Sequence, residues 1–180
     1  RHGIKALSMG MMTDPNKAIV WRGPMASSAL VQMVEQCDWG ALDVLVIDLP
    51  PGTGDVQLTL AQKLKPDGAL IVSTPQDLAL IDARKGLNMF AKVNVPVIGI
   101  VENMSYFLCP GDGNRYDIFG TGGGAREAAR LEVPLLGEVP IEPLVREAGD
   151  TGRPAVAAHP ESAAAGVFES IAQKVRQVLP

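Results

Sequence analysis

Asp48 and the turn behind it are the residues of this chain best arranged to do chemistry. Asp48 closes the run Leu42-Asp43-Val44-Leu45-Val46-Ile47, and Leu49-Pro50-Pro51-Gly52-Thr53-Gly54-Asp55 follows it. The four apolar residues Val44 to Ile47 show no polar alternation, which suits a strand buried on both faces of a parallel sheet. An acid at the carboxyl end of such a strand falls where open α/β sheets bind ligands. The two prolines shape the turn, and its glycines let backbone N–H groups approach an anion. Nucleotide hydrolases set a Mg²⁺-associated carboxylate beside a γ-phosphate sensor in this way. The plainer reading is a buried strand whose acid only caps the next helix. The acid, the prolines and the glycines occurring together favour the chemical one.

Other candidates carry less. Asn103 leaves a predicted strand in Glu102-Asn103-Met104-Ser105, on the ligand edge of the sheet, where a bare turn former is the alternative. Arg22, in Trp21-Arg22-Gly23-Pro24, is either a surface arginine or a residue of a dimer interface or nucleotide-linked switch. Asp55 reads as a helix N-cap close enough to Asp48 to sense a nucleotide. Cys109 lies in a glycine-rich loop, whereas Cys37 falls on the apolar face of a helix, where a small core residue is expected. His2 and His159 have no companions at zinc-ligand spacing, and no Ser-His-Asp arrangement is visible.

These residues need a frame, and the chain alternates strands with helices to provide one. A strand over Ile4–Met9 leads to a polar turn, and Ala18–Trp21 is apolar again. Pro24 opens a helix carrying Leu30, Val31, Val34 and Cys37 on one face. After the Asp48 strand, Asp55 opens a helix with Val56, Leu58, Leu60, Ala61 and Leu64 inward. Strands are predicted over 69–72, 95–101 and 133–139. Helices are predicted over 77–93, 125–131, 141–148 and 160–179, with 106–124 irregular. This order predicts an α/β fold: a doubly wound, mostly parallel sheet with flanking helices. No repeat or second domain interrupts it.

Composition bounds the function. The 180 residues suffice for one domain with a real core. Apolar residues make 47% and aromatics only 4%, so that core is aliphatic. A net charge of −4 without charge blocks argues against nucleic acid or an anionic membrane as partner. No apolar run reaches the ~20 residues of a membrane span. The first residues do not read as a signal peptide. Two cysteines make no disulfide framework, which points to a reducing compartment, cytoplasmic or of mitochondrial-matrix type.

Taken together, Trp21-Arg22-Gly23-Pro24-Met25, Asp48 to Asp55, Ser73-Thr74-Pro75-Gln76-Asp77 and Glu102-Asn103-Met104-Ser105 resemble the Mrp/ApbC group of iron–sulfur cluster carrier ATPases. The mitochondrial complex I assembly factor belongs with that group, and MinD and ParA are more distant members of the same P-loop class. The resemblance runs over nearly the whole chain. It implies an ATPase that dimerises around nucleotide and delivers clusters to apo-proteins, with ATP, Mg²⁺ and a 4Fe–4S cluster as cofactors. Asp48 would orient Mg²⁺ through water, Gly52 would offer its N–H to the γ-phosphate, and Asn103 would read the adenine edge. Pro140 and Glu142 would flank the adenine. Cys109 would be a thiolate ligand to a cluster shared across a homodimer.

Two departures qualify the resemblance. No Gly-x-x-x-x-Gly-Lys-Ser/Thr phosphate loop occurs in the sequence. Gly120-Thr121-Gly122-Gly123-Gly124 lacks the lysine and reads as a helix-entry loop. The chain is therefore expected to be the carboxyl-terminal part of a P-loop ATPase domain, with a slot in its sheet where the phosphate-loop strand belongs. Second, the family's Cys-x-x-Cys is here Cys109-Pro110-Gly111-Asp112, which gives two thiolates per dimer against the four a 4Fe–4S cluster takes. Two other functions stay open at this point. One is a non-catalytic dimerisation or client-interaction module. The other is a MinD/ParA-like positioning ATPase, against which the base-poor last helix argues.

Overall fold

A computed structural model describes residues 2–12, 23–49, 52 and 54–180. The chain divides into two compact units, residues 1–65 and 66–180.

The second unit holds the sheet. β1 (Ala69–Ser73), β2 (Val97–Glu102) and β5 (Leu135–Glu138) run parallel in the order β1-β2-β5. Their sequences, Ala-Leu-Ile-Val-Ser, Val-Ile-Gly-Ile-Val-Glu and Leu-Leu-Gly-Glu, are the near-continuous aliphatic runs that buried parallel strands require. Ile71 lies opposite Ile100, Ser73 opposite Glu102, and Glu102 opposite Glu138, so the strands end level. Between β1 and β2 the chain crosses over through α3 (Asp77–Lys92), which buries Leu80, Ala83, Met89 and Phe90. Between β2 and β5 it passes through a short antiparallel hairpin, β3 (Phe107–Leu108) with β4 (Arg115–Tyr116), and then α4 (Gly123–Arg130).

After β5 come α5 (Pro143–Asp150), the single turn α6 (Ala155–Ala158) and α7 (Ala163–Val178). Ser162 caps α7 by accepting from the Ala165 N–H at 3.1 Å, which is why the helix begins there and not at Pro160. One face of α7 lies on β5. Val101, Leu136, Val139 and Ile171 form a buried cluster, with Ile98, Val167 and Val175 packed against it. Gly137 permits this approach, since a Cβ there would sit 2.8 Å from Ile171 Cγ1. The parallel sheet with flanking helices predicted from the sequence is therefore present.

In the first unit a 3₁₀ turn (Met9–Met12) precedes α1 (Gly23–Gln36) and α2 (Asp55–Leu64), which pack together around Val31, Leu60 and Ala61. Two strand expectations fail here. Residues 44–47 are irregular and Val46 is 86% exposed, and residues 4–8 are irregular too. A parallel strand survives by ladder bonds on its edges and burial of its faces, and no described strand pairs with either segment. The α2 N-cap is Gly54, without a side-chain cap bond, and Asp55 is the first helical residue instead of the cap. Residues 18–21, read as apolar, lie outside the described residues.

Candidate functional site

The carboxyl ends of β1, β2 and β5 build one edge, and the chain beyond β2 and β5 stays bonded across it. The Asn103 N–H donates to the Ser73 carbonyl at 2.7 Å, and the Val139 N–H to the Glu102 carbonyl at 2.8 Å. Past the strands, the Ser105 N–H donates to Val139 O at 3.0 Å and the Ile141 N–H to Tyr106 O at 2.6 Å. Residues 103–107 thus run alongside 139–141, and Phe107 and Ile141 form a parallel bridge. Asn103, Pro140 and Glu142, for which the resemblance implies adenine contact, lie on these adjoining segments.

Each is held by local structure. Met104 takes a left-handed conformation (φ 54°), uncommon for a side chain of its size, and so turns the chain directly after Asn103. The Asn103 Oδ1 accepts from the Met104 N–H at 3.0 Å, leaving its amide NH₂ as the group that can donate outward. Pro140 is buried. Glu142 occupies the N-cap position of α5 ahead of Pro143, and its Oε1 accepts from the Ala164 N–H in the first turn of α7 at 3.2 Å. A carboxylate suits a helix N-terminus electrostatically. Its Oε2 is buried and has no hydrogen-bond partner among the described residues.

Sequence reasoning passed over Glu102, although the signal was the one used for Asp48: an acid ending an apolar strand. Glu102 is 0% exposed. Its Oε1 accepts from the Ser105 hydroxyl at 2.5 Å, and its Oε2 accepts from the Gly124 N–H at the start of α4. The glycine cluster is a helix entry, as predicted. A Cβ on Gly123 would fall 2.3 Å from Pro75 O, and one on Gly124 2.8 Å from Glu102 Oε2. Nearby, Arg84 of α3 holds buried Glu127 of α4 with two bonds of 2.5 and 2.8 Å. That pairing keeps the Glu127 carboxyl below its ordinary range.

Cys109 follows Ser105 by four residues, at the tip of the β3–β4 hairpin, and is half-buried. Its N–H donates to Asn114 O at 3.0 Å, and its carbonyl accepts from the Gly113 N–H at 2.8 Å. Asp112, in the place of a second cysteine, is exposed, and its carboxylate accepts from within the hairpin. The Asn114 N–H donates to it at 2.9 Å and the Tyr116 hydroxyl at 2.7 Å. Those two bonds, in that order, with a further one from Cys109, hold the Asp112 carboxyl down at about 2. The same bond raises the Tyr116 hydroxyl. Arg115 stacks 4.1 Å from the centroid of Tyr106 and pairs with Asp117 at 2.8 Å. Asp112 therefore acts as the hairpin's internal acceptor.

The remaining candidates belong to the first unit. Asp48 is exposed in an irregular segment. Gly52 is exposed with φ 101°, a conformation that favours glycine. Asp55 opens α2, and Arg22 lies outside the described residues. Among the described residues, no three His, Cys, Asp or Glu side chains group as a metal site.

A family model described as ParA, the NUBPL iron-transfer P-loop NTPase, matches residues 1–176. An iron-sulfur cluster carrier protein of Synechocystis is 53% identical over 175 residues, covering 97% of this chain and 50% of the relative. The Arabidopsis thaliana iron-sulfur protein required for NADH dehydrogenase, mitochondrial, is 49% identical over 174 residues, covering 97% and 56%. Among solved structures, the nucleotide-binding protein from Archaeoglobus fulgidus in complex with ADP matches with a TM-score of 0.66 and 41% identity. That match covers 72% of this chain and 53% of that one. The cell division ATPase MinD of Pyrococcus furiosus matches with a TM-score of 0.62 and 24% identity over 89% of this chain and 63% of its own, a likeness of fold. The chain spans about half the length of the curated relatives it matches.

Proposed function

Because the chain belongs to the NUBPL iron-transfer P-loop NTPase branch of the ParA family, we propose that it binds adenine nucleotide and carries an iron–sulfur cluster to apo-proteins. The observation that carries this reading is the shared edge of β2 and β5, where Asn103, Pro140 and Glu142 gather and from which the Cys109 hairpin leaves. The Asn103 amide donates to an adenine ring nitrogen, and the segment holding Pro140 and Glu142 flanks the ring. In this reading Asp48 would hold Mg²⁺, Gly52 would offer its N–H to the γ-phosphate, Asp55 would sense the nucleotide state, and Arg22 would serve the dimer interface.

The reading takes residues 1–180 as the carboxyl-terminal part of one ATPase domain in the cytoplasm or a mitochondrial matrix. Hydrolysis of ATP is proposed for a protein that also supplies a phosphate loop, since the cradle and the lysine that offset phosphate charge are not in this sequence. The cluster is cargo, held by Cys109 from each subunit of a homodimer. Two thiolates leave half of a 4Fe–4S cluster's protein sites open, which suits a cargo that must leave. Among the described residues no helix is long and apolar enough to cross a membrane.

Two measurements test the reading. Millimolar ADP with Mg²⁺ should raise the melting temperature, because a ligand of the folded state stabilises it, and Asn103→Ala should reduce the shift. An unchanged melting temperature would remove the nucleotide assignment. Anaerobic reconstitution with iron and sulfide should give cluster absorbance that Cys109→Ser abolishes. Equal absorbance in both proteins would remove Cys109 from the carrier role.

A further inference from the structure

We propose that Glu102 is a positioning residue whose buried carboxylate locks the adenine-reading turn to the cysteine hairpin, so that Asn103 and Cys109 are held as one rigid piece. This rests on the roles given above to Asn103 and Cys109.

A carboxylate at 0% exposure is costly to bury unless donors surround it. Glu102 meets that cost without a lysine or arginine. Ser105 gives one oxygen its hydroxyl at 2.5 Å, and α4 gives the other the Gly124 N–H from the positive end of the helix. Gly124 leaves the space for this, since a Cβ would sit 2.8 Å from Oε2. A helix cap alone would use one oxygen. The second oxygen reaches forward along its own chain and spans Asn103 and the left-handed Met104. It therefore fixes the turn that aims Asn103.

The fixing continues to the hairpin. Ser105 is 1% exposed, and its N–H is tied to Val139 O. Tyr106 accepts from Ile141, Phe107 bridges to Ile141, and β3 runs into Cys109. Every residue from Glu102 to Phe107 except Met104 is thus bonded to the sheet end or to the segment beyond β5. Movement of Asn103 reaches Cys109 through a chain of short contacts, and the Ser105–Glu102 bond is the side-chain link that closes it.

The test is the rate at which iodoacetamide alkylates Cys109 in the full chain, in a Cys37→Ser background. Ser105→Ala removes the forward bond and leaves the cap on α4, so it isolates the proposed link. It should speed alkylation roughly fivefold, the effect of losing one ordinary hydrogen bond. Glu102→Ala should do the same or more. Glu102→Gln should stay within about twofold of the parent. Its carbonyl accepts from Gly124, and its amide donates to the Ser105 oxygen after the hydroxyl turns.

A parent-like rate in folded Ser105→Ala would overturn the proposal and leave Glu102 a helix cap. Should that variant fail to fold, hydrogen exchange in the unsubstituted chain decides. The Ser105 and Cys109 amides should open together, with protection agreeing within roughly tenfold. Free exchange at Cys109 beside a protected Ser105 would equally overturn it. The ADP melting shift is independent of both readouts, so loss of the adenine assignment and loss of the Glu102 link are told apart.

Discussion

At the residue scale the hairpin is governed by Asp112. The position invites the reading of a substituted ligand, but the carboxylate is spent on Asn114, Tyr116 and Cys109. A carboxyl held below its ordinary value favours the folded state wherever it is ionised. Its contribution is therefore complete above the ordinary value of 3.8 and fades as pH falls through about 2. The carboxyl ¹³C shift of Asp112 should titrate with a midpoint at about 2. A midpoint at 3.8 would mean that the acceptor bonds are not made in solution. Removing one donor separates the causes. Tyr116→Phe should move the midpoint up part of the way, because the Asn114 N–H still donates to the carboxylate. Asn103 and Cys109 drew notice in the sequence as a residue leaving a strand and a residue of a glycine-rich loop. Glu102 carries the same strand-ending signal as Asp48, but its bond from Gly124 forms only once α4 has folded back on β2.

At the element scale, whatever was legible had its stabilising contacts encoded locally. β1, β2, β5, α2, α3 and α7 lie within a few residues of their expected places, because aliphatic runs and helical spacing name them directly. The β3–β4 hairpin did not announce itself. Each strand has two residues, and its register comes from the Cys109–Asn114 turn and the Tyr106–Ile141 contact, not from alternation. The glycines report the same division between local and distant causes. Gly166, inside α7, has open space where a Cβ would go, so Gly166→Ala should stabilise by about 0.5–1 kcal/mol through backbone entropy. Gly123, in the first turn of α4, would drive a Cβ to 2.3 Å from the Pro75 backbone. Gly123→Ala should therefore cost at least about 1–3 kcal/mol. Chemical denaturation of the pair should show opposite signs, and a neutral Gly123→Ala would mean that α4 does not press on the β1–α3 loop.

At the scale of the whole molecule, the run that dominates the sequence and the strands that dominate the structure are different segments. Residues 44–47 are as aliphatic as β2, yet Val46 is 86% exposed and Ile100 is fully buried. Composition supplies the wish to be buried, and pairing decides where it is met. β1 shows the same limit from within the sheet. Among the described residues it is bonded to β2 alone, and Leu70 and Val72 stay exposed while Ala69 and Ile71 are buried. A free strand edge with apolar neighbours accepts a further strand readily. Stability should therefore concentrate on β2 and β5 and thin out toward residues 42–49. Ile100→Ala should cost about 2–5 kcal/mol, whereas Val46→Ala should change stability by no more than about 0.5 kcal/mol. Hydrogen exchange read along the whole chain gives the same contrast without substitution. The Ile100 and Val101 amides should exchange only on global opening, and those of residues 44–47 should exchange within the earliest time points. Slow exchange at Val46 would show that this segment is paired in solution and that its strand, read from sequence, forms after all.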